Sequence, residues 1–258
     1  MSTAQHLVFI AAVAVAGYVQ NMTGFAFGLV LLGAVGLLQL APVADATIAV
    51  SVVALANAAQ LGRRGMSQLH APTLLPTLAG SLAGVVAGVM LLGWLSDRWT
   101  AALRPLLGLT IVGCAVLLMA RSQPLPRPSG RPAFAMAGLL SGVLGGLFAT
   151  GGPPLVYHYY RQPLELDRIR SALVAVFAAS GVVRLVVLGS QDRITAQAVL
   201  LSLEAVPVVL LLGWAARRWP PPNSVKAVRG WVALLLTLTG AGLFVPEALA
   251  LLRRLSLG

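Results

Sequence analysis

The sequence predicts an all-α polytopic membrane protein made of two inverted repeats. Each repeat is a broken or re-entrant helical segment plus three transmembrane helices, about eight spans as usually counted. Three observations predict it. Hydrophobic residues fill 58% of the 258 positions and charged residues only 10%, where soluble domains carry about a quarter charged residues. Mean hydropathy is +0.89, and apolar runs of the ~20 residues that cross a ~30 Å hydrocarbon core recur along the chain. The two halves of the chain also resemble each other.

The first element, His6 to Leu40, is too long for one straight helix, about 50 Å at ~1.5 Å per residue. It breaks where polar and flexible residues gather, at Gln20-Asn21-Met22-Thr23-Gly24; helix propensity falls there and side chains are at hand for the freed backbone groups. Ala44 to Gly62, Pro72 to Leu95 and Ala101 to Ala120 are plain spans. Ala133 to Tyr160 repeats the broken design, its Gly-rich arm ending at Ala149-Thr150-Gly151-Gly152-Pro153-Pro154, which cannot continue a regular helix. The ten residues from Gly152 to Arg161 are short for a crossing, so this hairpin reads as re-entrant. Ile169 to Gly189, Ala196 to Ala216 and Gly230 to Leu252 complete the set.

The repeat is explicit in the residues. Leu91-Leu92-Gly93-Trp94-Leu95-Ser96-Asp97-Arg98-Trp99 returns as Leu211-Leu212-Gly213-Trp214-Ala215-Ala216-Arg217-Arg218-Trp219, with six of nine positions identical. Upstream, Thr23-Gly24 falls on Thr150-Gly151 and Asn57 on Arg184. Residues 1–122 form one repeat, 123–132 a connecting loop and 133–258 the other. Basic loops do not fall at equivalent places: Arg63-Arg64 matches Ser190-Gln191, and Asp97-Arg98 matches Arg217-Arg218. Cytoplasmic loops are enriched in Lys and Arg, so the reversal points to inverted repeats. With that orientation twelve Lys and Arg fall inside, and only Arg98, Arg104, Arg193, Arg253 and Arg254 fall outside.

Helix breaks at membrane depth expose N–H groups and the positive end of the helix dipole, which together make an anion site. Asn21 and Thr23 at the first break and Thr150 at the second supply side-chain donors; Gly24, Gly151 and Gly152 let backbone approach a ligand. Gly138, Gly142, Gly145 and Gly146 read as helix-packing residues instead. Arg184 sits inside a span, where a charge costs at least ~2.5 kcal/mol. It either serves the anion with its planar fork or snorkels past Gly189. Glu204 carries a coupling proton or neutralises Arg184. Asn57 and Gln60 either line a cavity or bond neighbouring helices, and Asp45 caps its helix. Tyr157-His158-Tyr159-Tyr160-Arg161 reads as an interfacial aromatic belt with a basic anchor, His158 being the alternative proton relay.

Other classes find little support. The net charge of +11 lies in short clusters between apolar segments, where topology signals sit, so no nucleic-acid partner is expected. The lone Cys114 allows no disulfide framework, and no cofactor or metal is called for. Neither H-E-x-x-H nor G-x-S-x-G occurs, and the three histidines lie far apart, so an enzyme is not expected. No Lys or Arg precedes the apolar start, so Ala11 to Gly17 reads as mature helix and not as a cleavage region. The expected partners are a small anionic substrate and the lipid bilayer, with a homodimer possible.

Two stretches, Gly17-Tyr-Val-Gln-Asn-Met-Thr-Gly-Phe-Ala-Phe-Gly28 and Gly138-Leu-Leu-Ser-Gly-Val-Leu-Gly-Gly-Leu-Phe-Ala-Thr-Gly-Gly-Pro-Pro154, resemble the signatures of the TauE/SafE family of sulfite and organosulfonate exporters. The likeness covers essentially the whole chain; Ala26 stands where glycine is expected, and Ala149 also departs from the family texture. The resemblance implies a secondary transporter in the bacterial inner membrane that exports sulfite, sulfoacetate or a related organosulfonate. A permease or channel for another small anion is the alternative, and a membrane-embedded enzyme a more distant one.

Overall fold

A computed structural model describes residues 2–23, 25–60, 67–98, 100–119, 125–219, 234 and 236–245. Its regular structure is helical: α1 (Thr3–Thr23), α2 (Phe27–Leu38), α3 (Val43–Ala59), α4 (Ala71–Arg98), α5 (Thr100–Met119), α6 (Arg131–Phe148), α7 (Gly152–Tyr160), α8 (Leu166–Ser190), α9 (Ala196–Arg218) and α10 (Leu236–Val245). Five helices are long and apolar enough to cross a membrane: Thr3–Asn21, Ala71–Leu95, Arg131–Phe148, Leu166–Ser190 and Ala196–Ala216. Large apolar side chains such as Met90, Val116, Val186, Leu203 and Leu211 are more than half exposed, as expected where lipid is the solvent. Of the expected last span, Gly230 to Leu252, the described part, Leu234 and Leu236–Val245, is helical. Arg63, Arg64, Arg121, Lys226, Arg229, Arg253 and Arg254 lie outside the described residues.

Local chemistry places the helix ends. Thr195 caps α9 by accepting the Ala198 N–H at 3.0 Å, and its hydroxyl donates to Asp45 Oδ1 at 2.8 Å. Asp45 was expected as a cap; it sits instead in the first turn of α3, where Pro42 is the N-cap residue. A carboxylate there still complements the helix dipole, and it ties the starts of α3 and α9 together. Pro76, Pro105 and Pro207 lie inside α4, α5 and α9, each removing one backbone donor from its helix.

α2 and α7 are short arms, about 18 Å and 14 Å at ~1.5 Å per residue, against a ~30 Å core. α7 folds back to the side on which α6 begins: Gln162 Oε1 accepts the Ser129 N–H at 2.8 Å, and the Leu125 N–H donates to the Arg161 carbonyl at 2.7 Å.

The long helices form two sets. Asp45 meets Thr195 and Gln60 meets Gly213, so α3 and α9 run parallel. His6 meets Glu204 and Gly17 meets Leu212, which makes α1 parallel to α9. Gly80, Gly84 and Gly88 on α4 face Gly138, Gly142 and Gly146 on α6 in ascending order, a second parallel pair. A Cβ at any of those six would run into the backbone of the other helix, so small residues let the two approach more closely than larger ones could. Between the sets, α3 and α8 cross antiparallel, Arg184 lying beside Thr47 and Gly181 beside Ser51 and Leu55.

Candidate anion site

Both helix breaks arise locally. α1 ends at Thr23, and α2 restarts at Phe27 from Ala26 with no side-chain cap. α6 ends because Ala149 takes left-handed backbone, φ 54°, and closes the turn by donating its N–H to the Gly145 carbonyl at 2.8 Å. α7 restarts at Gly152, also without a side-chain cap. The Ser141 hydroxyl donates to the Gly151 carbonyl and anchors the second break on α6.

Tertiary packing brings the two breaks together. A Cβ on Gly28 would lie 3.2 Å from the Ala149 carbonyl oxygen and 3.4 Å from Thr150 Cγ2, and one on Gly152 would lie 3.2 Å from the Phe25 ring. Glycine at both places lets each break close on the other. Between the breaks and the middles of α3 and α8 is a cavity of about 90 Å³. Phe27, Gly28 and Leu29, the first turn of α2, line one side, and Thr150, Gly151 and Gly152 line the other. The first N–H groups of a helix have no partner within it, and the dipole makes that end positive. Two helix starts therefore point at one space. Pro153 and Pro154 carry no N–H, so the donors on the α7 side fall to the residues that line the cavity.

Two polar side chains reach this space without a partner. Thr150 is 4% exposed, and its Oγ1 is buried with no hydrogen-bond partner; Gln20 Oε1 is buried and unpartnered too. Buried polar atoms nearly always find a partner within the protein or in bound ligand and water. Atoms left over at a cavity wall are therefore available to what the cavity holds.

Arg184 is the charged residue among those lining the cavity and is 1% exposed. Its Nε donates to the Gly146 carbonyl at 3.1 Å, Nη1 to the Thr47 carbonyl at 3.1 Å and Ser51 Oγ at 3.2 Å, and Nη2 to Thr47 Oγ1 at 2.7 Å. Burial to this degree excludes snorkelling. The guanidinium pins α8 to α3 and α6, and no carboxylate pairs with it among the described residues. A buried cation satisfied only by neutral dipoles keeps its field, and that field falls on the cavity.

The remaining expected site residues divide. Asn57 lines the cavity together with Gly151 and Gly152. Asn21 does not line it and is exposed. Gln20 takes that place, because adjacent helix residues point about 100° apart. The Thr23 side chain and Gly24 lie outside the described residues. Glu204 does not neutralise Arg184: its Oε1 lies 2.6 Å from His6 Nδ1. His158 packs edge-on against Phe134, ring centroids 4.7 Å apart, and is not part of the cavity wall. The expected aromatic belt is split: Tyr157 does stack under Arg161 at 5.4 Å, but Tyr159 is fully buried, its hydroxyl 3.1 Å from Thr77 Oγ1. Gly138, Gly142 and Gly146 pack against α4, whereas Gly145 lines the cavity. Thr47 and Ser51, the partners of Arg184, were missed; their signal was two hydroxyls one turn apart in an apolar span.

The family model for the sulfite exporter TauE/SafE matches residues 9–243. The chain belongs to the TauE/SafE family. A relative from Cupriavidus necator named a probable sulfite/organosulfonate exporter is 34% identical over 229 residues, covering 89% of this chain and 90% of its own length. No solved structure matches. TauE/SafE proteins are transporters, so this chain is a multi-pass membrane transporter of the bacterial inner membrane and not an enzyme. The two stretches that carry the family resemblance are the two that meet at the cavity.

Proposed function

We propose that this TauE/SafE protein exports a small sulfur-containing anion, sulfite or an organosulfonate such as sulfoacetate, as a secondary transporter. The anion is held between the two helix breaks by the backbone of Gly28, Gly151 and Gly152, the Thr150 hydroxyl, the Asn57 amide and the field of Arg184. The observation that carries the reading is the buried Arg184 without a carboxylate partner among the described residues, facing a cavity at two uncapped helix starts. Electrostatics dominates the binding: two unit charges ~4 Å apart attract by ~4 kcal/mol at an effective dielectric of ~20, whereas one neutral hydrogen bond adds ~1 kcal/mol. The relative's printed name supports the sulfur anion.

The repeats are inverted in this reading, with eight spans when each short arm counts with its partner. Under the sequence match, α1, α2 and α3 correspond to α6, α7 and α8, and α4 to α9. Support comes from helix direction: α1 and α3 run opposite to α6 and α8, and α4 opposite to α9. The contacts also exchange, with α1 on α9 where α6 is on α4, and α3 on α9 where α8 is on α4. An in-plane axis puts both breaks at one depth, which an alternating-access site needs.

The test is binding to purified protein, followed by thermal shift with sulfite, sulfoacetate and sulfate. Wild type is expected to be stabilised by one sulfur anion, with the shift reduced in Thr150→Val and abolished in Arg184→Ala. An anion shift that survives both substitutions would place the site elsewhere.

A further inference from the structure

A bare anion leaves one group on the cavity wall unsatisfied. Gln20 Oε1 is buried there without a partner, and a carbonyl oxygen can only accept a hydrogen bond. The oxygens of a fully ionised sulfur anion also only accept, so they suit the Thr150 hydroxyl and the N–H groups of the helix starts but offer Gln20 nothing. The other wall hydroxyls are engaged within the protein: Ser51 donates to the Thr47 carbonyl, Ser141 to the Gly151 carbonyl, and Ser180 pairs with Ser81 at 2.8 Å. A ligand that satisfies both Thr150, 4% exposed and unpartnered at Oγ1, and Gln20 therefore brings acceptors and one donor of its own.

Charge sets a second limit. Helices α1, α2, α3, α6, α7 and α8 all give residues to the wall, and among the described residues that line it Arg184 is the one that ionises; no Asp, Glu, His, Lys, Cys or Tyr joins it. One guanidinium balances one negative charge. A dianion would leave a net charge in a buried space, where an unbalanced charge is costly. The wall also holds no carboxylate or imidazole that could take up or release a proton with the anion. We propose that the site selects a singly charged sulfur anion that carries one hydrogen-bond donor, and that Gln20 is the residue that reads the donor. This selectivity rests on the anion-exporter reading and narrows it, favouring hydrogensulfite in its O–H form and short hydroxyl-bearing sulfonates over the sulfite dianion and sulfate. The anionic oxygens face Thr150 and the two helix starts in the field of Arg184, and the O–H donates to Gln20 Oε1. Export of hydrogensulfite takes one proton out with each anion, so no titratable group on the wall is required to move it.

The test is calorimetric titration of the purified protein with isethionate, a hydroxyl-bearing ethanesulfonate, and with propanesulfonate, in which a methyl group replaces that hydroxyl at the same charge. Wild type is expected to bind isethionate about fivefold tighter or more, the worth of one neutral hydrogen bond, and Gln20→Leu to bring the two to the same affinity. Equal binding by wild type, or a preference that survives Gln20→Leu, overturns the role of Gln20 and leaves the anion reading standing. The wild-type comparison alone decides the donor requirement, whatever the stability of the variant. Sulfite tests the charge limit through its own proton. Its affinity is expected to fall about tenfold per pH unit once pH passes neutrality and hydrogensulfite ionises, while that of isethionate stays constant. Sulfite affinity that holds or rises with pH overturns the single-charge selectivity, and a parallel fall for isethionate does so too, because it assigns the proton to the protein. Binding of none of these anions, sulfoacetate included, overturns the anion reading and this selectivity with it.

Discussion

Two helix pairs that correspond under the proposed repeat are held in opposite ways. α4 and α6 meet backbone to backbone at six glycines. α1 and α9 meet through side chains: Leu212 over Gly17 and the His6–Glu204 pair. A backbone contact has one geometry, because nothing in it can change rotamer or charge. A side-chain contact can change both. α4 with α6 is the closely fitted pair and α1 with α9 the looser one; the cavity lies where an end of each pair meets, Gln20 from α1 and Gly145 from α6.

The largest effect is expected where the closely fitted pair is filled. Gly142→Val places a branched side chain against the Ser81 backbone, must push α4 and α6 apart, and should destabilise the protein by ~3 kcal/mol or more. Thermal unfolding in detergent measures it. Next comes the residue that ties α6 to α3: Arg184→Ala should weaken anion binding about a hundredfold or more through its lost field, with Arg184→Lys recovering part. Equal binding by both variants would show that the charge does not serve the anion. Thr150→Val keeps volume but removes the unpartnered hydroxyl, for ~1 kcal/mol or about fivefold in dissociation constant by titration. Gly17→Ala is expected to be the mildest, under ~1 kcal/mol in thermal unfolding, since its Cβ meets Leu212 Cδ1 at 2.9 Å, the end of a flexible side chain, and Val209 Cγ2 at an ordinary 3.8 Å. A cost equal to that of Gly142→Val would erase the difference between the two pairs.

Much of the architecture was legible in the residues. Composition, run length and break chemistry are local, so the helices could be read directly, with ends within a few residues of α3, α4, α5, α8 and α9; of these, α4, α8 and α9 are long and apolar enough to cross a membrane, whereas α3 and α5 fall among the shorter apolar helices. The Thr150-Gly151-Gly152 break and the membership of the family were legible for the same reason. Individual side chains were less so. Gln20 and Asn21 differ by one helix position, and both are polar amides; only the orientation of α1 against the cavity distinguishes them. Glu204 invited a partner of opposite charge, and Arg184 was the basic residue inside the preceding span. The carboxylate instead meets His6, almost 200 positions away, while Arg184 is satisfied by the Gly146 carbonyl and by Thr47 and Ser51.

What the sequence by itself determined was what each segment is: a helix that belongs in lipid, or a break that cannot stay helical. Hydropathy and helix propensity act over one or two turns, and neighbours along the chain suffice to specify them. What only the tertiary structure decided was which polar groups satisfy one another and which remain for a ligand. A hydrogen bond or a buried charge is settled by whatever lies within a few ångströms, and here the deciding neighbours come from helices far apart in the chain. The cavity is where that pairing stops: Thr150 Oγ1 and Gln20 Oε1 are buried there without a partner, beside Arg184.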